Sequence, residues 1–413
     1  MGIARALAGT FSRGHVLGEG DEGDLLLGGN RSAAGERVSE SSAMKVAVIY
    51  SCVSLIASCV RAMPLRIRQD LGDGVLRDDR ESRMWSLLSE RPNEEMHAGT
   101  LWEWVTKCLL LRGNAFLYLQ RDRAGRVTEL WPLHPRRVYV RRDLITRRKV
   151  FEVMAPDNLE RVEFFGTSQD ILQIPGFDYN GLVGQSVIWH QRETVGRALR
   201  EDRFASETLR NNARPAGVIS VKGKLDPDRA KALGERWNAA HGGSKVGGTA
   251  VLEEDTKWEA VTMSAADLEL VEQRGMSRED LALAFQIPGD FVYSGSKTNN
   301  LHYSSDASRD LRLVKYGVLP WGGRIQDALE ICDLLPWRYG MSTGRRVPRF
   351  DPNGLLLADI KTRFEAHKMG IEGHFLAPDE AREEESLPPL GNAYSKPIPP
   401  VAKPSATAPG AGG

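Results

Sequence analysis

Residues 186–215 read SVIWHQRETVGRALREDRFASETLRNNARP, and this stretch decides the fold. Its spacing predicts one long helix from Val187, ended by Pro215. Ile188, Val195, Ala198, Leu199, Ala205 and Leu209 fall on one narrow stripe at helical spacing. Charged residues of both signs cover much of the rest. A helix with so thin an apolar face cannot be enclosed by the core of a single chain. It is wetted on one side or packs its stripe against another helix.

Downstream comes a small α/β unit. AGVISVKG reads as a strand, DPDRAKALGERWNAAHGG as a capped helix and TAVLEEDTKWEAVT as a strand pair. A further helix over AADLELVEQRGMSREDLALAF ends at Ile287-Pro288-Gly289. Then follows YSGSKTNNLHYSS, Tyr293 to Ser305, a polar loop longer than compact domains usually hold between helices. SSDASRDLRLVKYGVLPWGGRIQDALEICDLL is a long helix with a kink or break expected at Pro320. A strand at RVPRFD and helices at LLLADIKTRFEAHKMG and APDEAREEE complete the pattern.

Upstream the texture is mixed. SAMKVAVIYSCVSLIASCVRAM is an amphipathic helix with Val46, Ile49, Val53, Ile56 and Val60 on its core side. MWSLLSERPNEEM is a short helix stopped before Pro92. HAGTLWEWVTKCLLLRGN is a second long helix, with Thr100 as N-cap and Gly113-Asn114 as its stop. AFLYLQRDRAGRVTELWPL is a hairpin about the DRAG turn, and RRVYVRRD, KVFEVMA, RVEFFG and DILQIPG are short strands. Residues 1 to about 40 are rich in Gly, Ser and Arg and predict a mobile arm. The Pro/Ala/Gly-rich end from Asn392 predicts a disordered tail.

The chain has 413 residues, 41% hydrophobic and 27% charged, a globular balance with room for two or three domains. Its formal net charge is zero. Tight nucleic-acid binding over the whole surface would require a basic excess, so only a weak, sliding contact fits. Cys52, Cys59, Cys108 and Cys332 form no CxxC pair and read as reduced, buried thiols. The start of the chain lacks a signal-peptide run, and Ala6 stands where a myristoylation motif needs Ser or Thr. AVIYSCVSLIASCV is too short and too serine-rich for a membrane span, so no membrane is expected.

Motifs for catalysis fail one by one. SGSKT resembles a phosphate loop, but Ser296 separates Gly295 from Lys297 and no strand feeds it. The histidines form no HExxH or HxH pattern, so no metal and no cofactor is expected. GQSVI lacks the second glycine of a nucleophile elbow. Trp102 and Trp104 read as helix core and rim rather than a base-stacking platform, since no basic stripe accompanies them. The run EAREEE reads as a solvated helix face.

Taken in order over about residues 44–390, several pieces resemble the portal proteins of tailed phages, of the short branch found in siphophages, prophages and gene transfer agents. They are VIYSCVSLIASCVRAMPLRI, LLSERPNEEM, LLLRGNAFLYLQRDRAGRVTELWPLHPRRV, DILQIPGFDYNGLVGQSVI, NNARPAGVI, ALAFQIPGDFV, VLPWGGRIQDAL and GHFLAPDEAREEESLPPL. The resemblance implies an α+β portal fold, with a mixed α/β wing, helical stem, small α/β clip insert and helical crown. It implies assembly as a ring of about twelve subunits around a DNA channel. The expected divisions are a flexible N-terminal arm over 1–43, wing over 44–186 and stem helix over 187–214. The clip would take 215–264, a second stem helix 265–289 and a tunnel loop 290–304. A kinked wing helix and strand would fill 305–353, the crown 354–390 and the disordered tail 391–413.

In that resemblance the tunnel loop carries Ser294, Gly295, Ser296, Lys297, Thr298, Asn299 and Asn300. Gly295 gives it freedom, the neutral side chains hydrogen-bond weakly, and Lys297 meets phosphate. Arg197, Arg200 and Glu201 would line the channel, and Lys222, Lys224 and Trp237 would dock the packaging motor. The implied role is structural and not enzymatic, in the virion at the portal vertex and in host cytoplasm during assembly. The implied partners are double-stranded DNA in transit, the terminase large subunit, the major capsid protein and a head–tail adaptor. Two rival readings remain, a metal-dependent nuclease and a monomeric nucleic-acid adaptor. The first requires clustered carboxylates or histidines, the second a basic patch.

Overall fold

The computed structural model describes residues 31–71, 76–159, 161–178, 181–210, 217–221, 226, 228, 231–232, 256–260, 278–288, 291, 306–332, 344–355, 360–385 and 387–391. Its main core is built on two helices, α2 (Ala47–Ala62) and α4 (Ala98–Arg112), with the short α3 (Arg83–Trp85) between them in sequence. The periodic residues Val46, Ile49, Val53, Ile56 and Val60 are all buried against neighbours that include Leu101, Trp102, Val105 and Leu109. The Trp102 indole donates to the carbonyl of Leu88 at 3.0 Å, so a fully buried tryptophan has its polar handle satisfied. That burial removes it from any stacking platform. Helix α4 starts after His97, and Thr100 lies inside its first turn rather than capping it.

Three three-stranded antiparallel sheets accompany this pair. Strands β1 (Leu65–Asp70), β2 (Leu76–Asp78) and β13 (Arg346–Phe350) pair in the order β13-β1-β2. Strands β3 (Asn114–Arg121), β4 (Val127–Leu133) and β8 (Ile171–Pro175) pair as β4-β3-β8. The DRAG turn closes this hairpin, with the Asp122 carboxylate accepting from the Ala124 and Arg126 amides. Strands β5 (Val138–Arg142), β6 (Lys149–Met154) and β7 (Val162–Thr167) form the third sheet, and the short β9 (Phe177–Asp178) and β10 (Gly184–Gln185) pair antiparallel. Alternation along β3 divides two cores: Ala115, Leu117 and Leu119 face the helices. Phe116 faces a satellite cluster with Val138, Val140, Phe151 and Val153.

Residues 31–43, expected in the flexible arm, are packed. Arg31 and Arg37 form a bridge, Val38 is 1% exposed, and α1 (Glu40–Ala43) is closed by a Ser39–Ser42 capping box. Two buried apolar side chains in a polar stretch are too few to give a periodic signal. The expected single helix over 187–214 is also corrected. It opens as α5 (Val187–His190), breaks at Gln191 and resumes as α6 (Arg192–Arg210), with 211–214 outside the described residues.

The expected break at Pro320 takes another form. Helix α7 (Asp306–Arg312) passes into a π-helical turn over Leu313–Val318, then into α8 (Leu319–Ile331). Pro320 sits in the first turn of α8, where no intrahelical N–H is required. The wide turn, closed by the Leu319 amide on the Val314 carbonyl, places the irregularity directly upstream of the proline.

At the C-terminal end, α9 (Ile360–Glu372) and α10 (Pro378–Glu384) are tied by Glu385, which takes Arg363 at 2.8 Å and His367 at 3.2 Å. None of the four cysteines is in a disulfide; three are buried and Cys59 is half-buried. Burial pushes the Cys52 thiol up to about 11 and Cys108 up to about 12.

Candidate functional site

Helix α6 is the feature to explain, and a polar joint fixes where it starts. Helix α4 ends at Gly113, left-handed at φ 71°, and β3 leaves directly from it. A Cβ there would lie 2.2 Å from the Gln185 carbonyl carbon, so only glycine lets the two backbones meet. The Asn114 side chain donates to the Gly184 carbonyl at 2.7 Å and accepts the Gly184 amide at 2.9 Å. Ser186 donates to the Leu111 carbonyl at 2.6 Å and accepts the Ile188 amide at 3.0 Å, capping α5. Arg324 of α8 reaches the same joint through the Gly176 carbonyl at 2.6 Å. Beyond it, Arg192 lies over the Trp189 ring, 4.8 Å from its centroid.

From there α6 shows three faces. Val195, Ala198 and Leu199, with Ile188 of α5, pack on the main core. Residues 193, 196, 200 and 203 recur at helical spacing and face the segment 31–38. There the Ala33 amide donates to Glu193 at 2.8 Å, and Arg203 pairs with Glu36 at 2.9 Å. Arg200 stands 3.8 Å from the same Glu36 oxygen. Gly196 makes room, since a Cβ there would come within 2.1 Å of the Ser32 hydroxyl. Residues 197, 201 and 204 fall on the remaining face. Arg197 is exposed, Glu201 half-buried and Phe204 54% exposed.

The expected channel residues are thus divided. Arg197 and Glu201 share the open face, while Arg200 is held by the segment before α1. Sequence reasoning missed Phe204, Glu36 and Gly196. Phe204 was the one readable from spacing, an aromatic seven residues from Arg197 on a charged face.

The loop residues Ser294, Gly295, Ser296, Lys297, Thr298, Asn299 and Asn300 lie outside the described residues. The elements flanking them are described. Helical residues 278–284 end with Gln286 left-handed at φ 61°, its amide donating to Leu283 at 2.8 Å and the Ile287 amide to Ala282 at 3.0 Å. Phe291 then packs on the main core, with the Arg309 guanidinium of α7 5.4 Å from its ring centroid. The two flanks of the loop therefore meet. Lys222, Lys224 and Trp237 also lie outside the described residues. Lys222 directly follows β11 (Gly217–Val221), which pairs antiparallel with β12 (Thr256–Ala260).

Among the described residues no group of three or more His, Cys, Asp or Glu is placed to hold a metal. Among them, too, no helix is long and apolar enough to cross a membrane.

Comparison with known proteins agrees with this architecture. The profile of the family described as "Phage portal protein" matches residues 47–385. The "Probable portal protein" of Streptomyces phage phiC31 is 27% identical over 89% of this chain and 81% of its own length. The "Portal protein" of Enterobacteria phage HK97 is 24% identical over 86% of this chain and 81% of its own. Among solved structures, a chain of the neck of an empty gene transfer agent particle, computed with C6 symmetry, superposes with a TM-score of 0.60. It is 23% identical and covers 88% of this chain and 97% of that one. The native particle's neck, computed with C12 symmetry, gives 0.57 at 22% identity, covering 84% and 92%.

Proposed function

The chain belongs to the phage portal protein family, and from that premise we propose that it forms the ring-shaped DNA channel at one vertex of a capsid. Double-stranded DNA passes inward through it during packaging by the terminase motor and outward on ejection. The observation that carries this reading is the three-faced helix α6. One face is buried in the chain's own core and one is taken by residues 31–38. The face on which Arg197 and Phe204 are exposed takes a neighbouring copy and water. A closed ring supplies the same neighbour to every copy, and the gene transfer agent necks are built with that kind of symmetry.

The zero net charge fits a passage rather than a grip. A strongly basic channel would hold duplex by counterion release and stall it. The loop at 290–304, with Lys297 as its one cation, touches the sliding backbone without reading bases. Residues 215–264, with Lys222, Lys224 and Trp237, dock the terminase large subunit; the chain itself is structural, and the work comes from the motor's ATP. The major capsid protein and a head–tail adaptor complete its contacts, made first in host cytoplasm and then in the virion.

The test is genetic and biochemical. Particles made without this chain should contain no nuclease-protected DNA, and supplying the chain in trans should restore it. Filling of particles in its absence would refute the assignment.

A further inference from the structure

We propose that Glu36 is a positioning residue that withholds Arg200 and Arg203 from DNA, so that the segment 31–38 sets how much positive charge α6 offers to the channel. This inference rests on the channel reading above. Glu36 is 7% exposed, and a carboxylate removed from water to that degree requires charged partners. It finds them in Arg203 at 2.9 Å and Arg200 at 3.8 Å, while both arginine side chains remain more than half exposed. Arg200 lies three residues from Arg197 and is its neighbour on the helix surface. The held pair therefore borders the open face directly.

A second observation is independent of the charges. The segment can lie this close only because position 196 is glycine, whose absent side chain makes room for Ser32, with Val38 next to it. Glycine in a helix interior is unfavourable relative to alanine. Its presence at the contact with Ser32 marks a docking contact rather than a helix preference. Docking brings one carboxylate to two guanidiniums. Without it, every subunit would add two free cations beside Arg197 and Glu201, and the ring would repeat them round the pore.

The experiment uses the full chain assembled as rings, with ring formation scored separately by negative-stain imaging. Affinity for a short mixed-sequence duplex is measured across a salt series. Glu36→Gln should bind at least roughly tenfold tighter at low salt, with a log–log salt slope steeper by up to about 2 for each subunit whose two released arginines reach the duplex. Adding Arg200→Gln and Arg203→Gln to it should return both values to wild type. Gly196→Ala keeps all charges and favours the helix, but pushes Ser32 away; it should reproduce the gain and covers the case in which Glu36→Gln fails to assemble. Unchanged slopes in well-formed rings of either variant would overturn the proposal. So would a gain that survives loss of both arginines. Absence of rings in the wild type would count against the channel reading, not against the placement of Glu36.

Discussion

Gly113 and Glu103 show what single residues contribute. At Gly113 a left-handed backbone and a backbone contact coincide, so Gly113→Ala meets both penalties. We expect a loss of roughly 2–4 kcal/mol in denaturant unfolding. The helix stop was readable from Gly113-Asn114; the contact with Gln185 was not, because it spans some seventy residues of sequence. Glu103 joins the two central helices, taking Lys107 at 2.6 Å and Arg61 at 2.8 Å. Hydrogen bonds from Lys107 and then Arg61 lower its pKa. A carboxyl with a lowered folded pKa stabilises fully above its unfolded value of about 4.3, and the contribution is lost as pH falls through the folded value. Glu103→Gln should therefore cost roughly 0.5–1 kcal/mol at neutral pH. Wild type and variant should converge on acid titration.

At the scale of elements, periodicity served where one face is buried and failed where packing is local. Helices α2 and α4 and strands β3 to β8 and β13 were readable because alternation and helical spacing survive in their apolar residues, whereas β2, with no buried residue, was not. The break at Gln191 was not, since Gln191 has no special backbone preference. The π-turn before Pro320 was half readable: proline announced an irregularity but not its position. At the end of helical residues 278–284, Gln286 occupies the left-handed position that glycine favours. Gln286→Gly should raise stability by about 0.5–1 kcal/mol, read as an upward shift in Tm. Phe204 on the open face of α6 makes the opposite kind of prediction. Phe204→Asp should leave the far-UV spectrum and Tm of the protomer close to wild type but shift the assembly toward smaller species in ultracentrifugation. An unchanged assembly would mean that no neighbour covers this face.

For the whole molecule, balanced charge and the lack of a catalytic motif excluded more than they identified. The order of the quoted pieces supplied the family, and the match over residues 47–385 shows it. The candidate site was only partly readable. The family resemblance put Arg197, Arg200 and Glu201 together as channel residues, but the pairing of Arg200 with Glu36 depends on a segment whose composition reads as an arm. Two buried side chains and one buried carboxylate are enough to dock such a segment, and too few to reveal it in sequence. The account makes one demand of the assembled protein: α6 must have copies of itself beside it. Negative-stain images of the purified full chain test this most directly. Closed rings with a central hole are predicted; uniform single-copy particles at high protein concentration would contradict it.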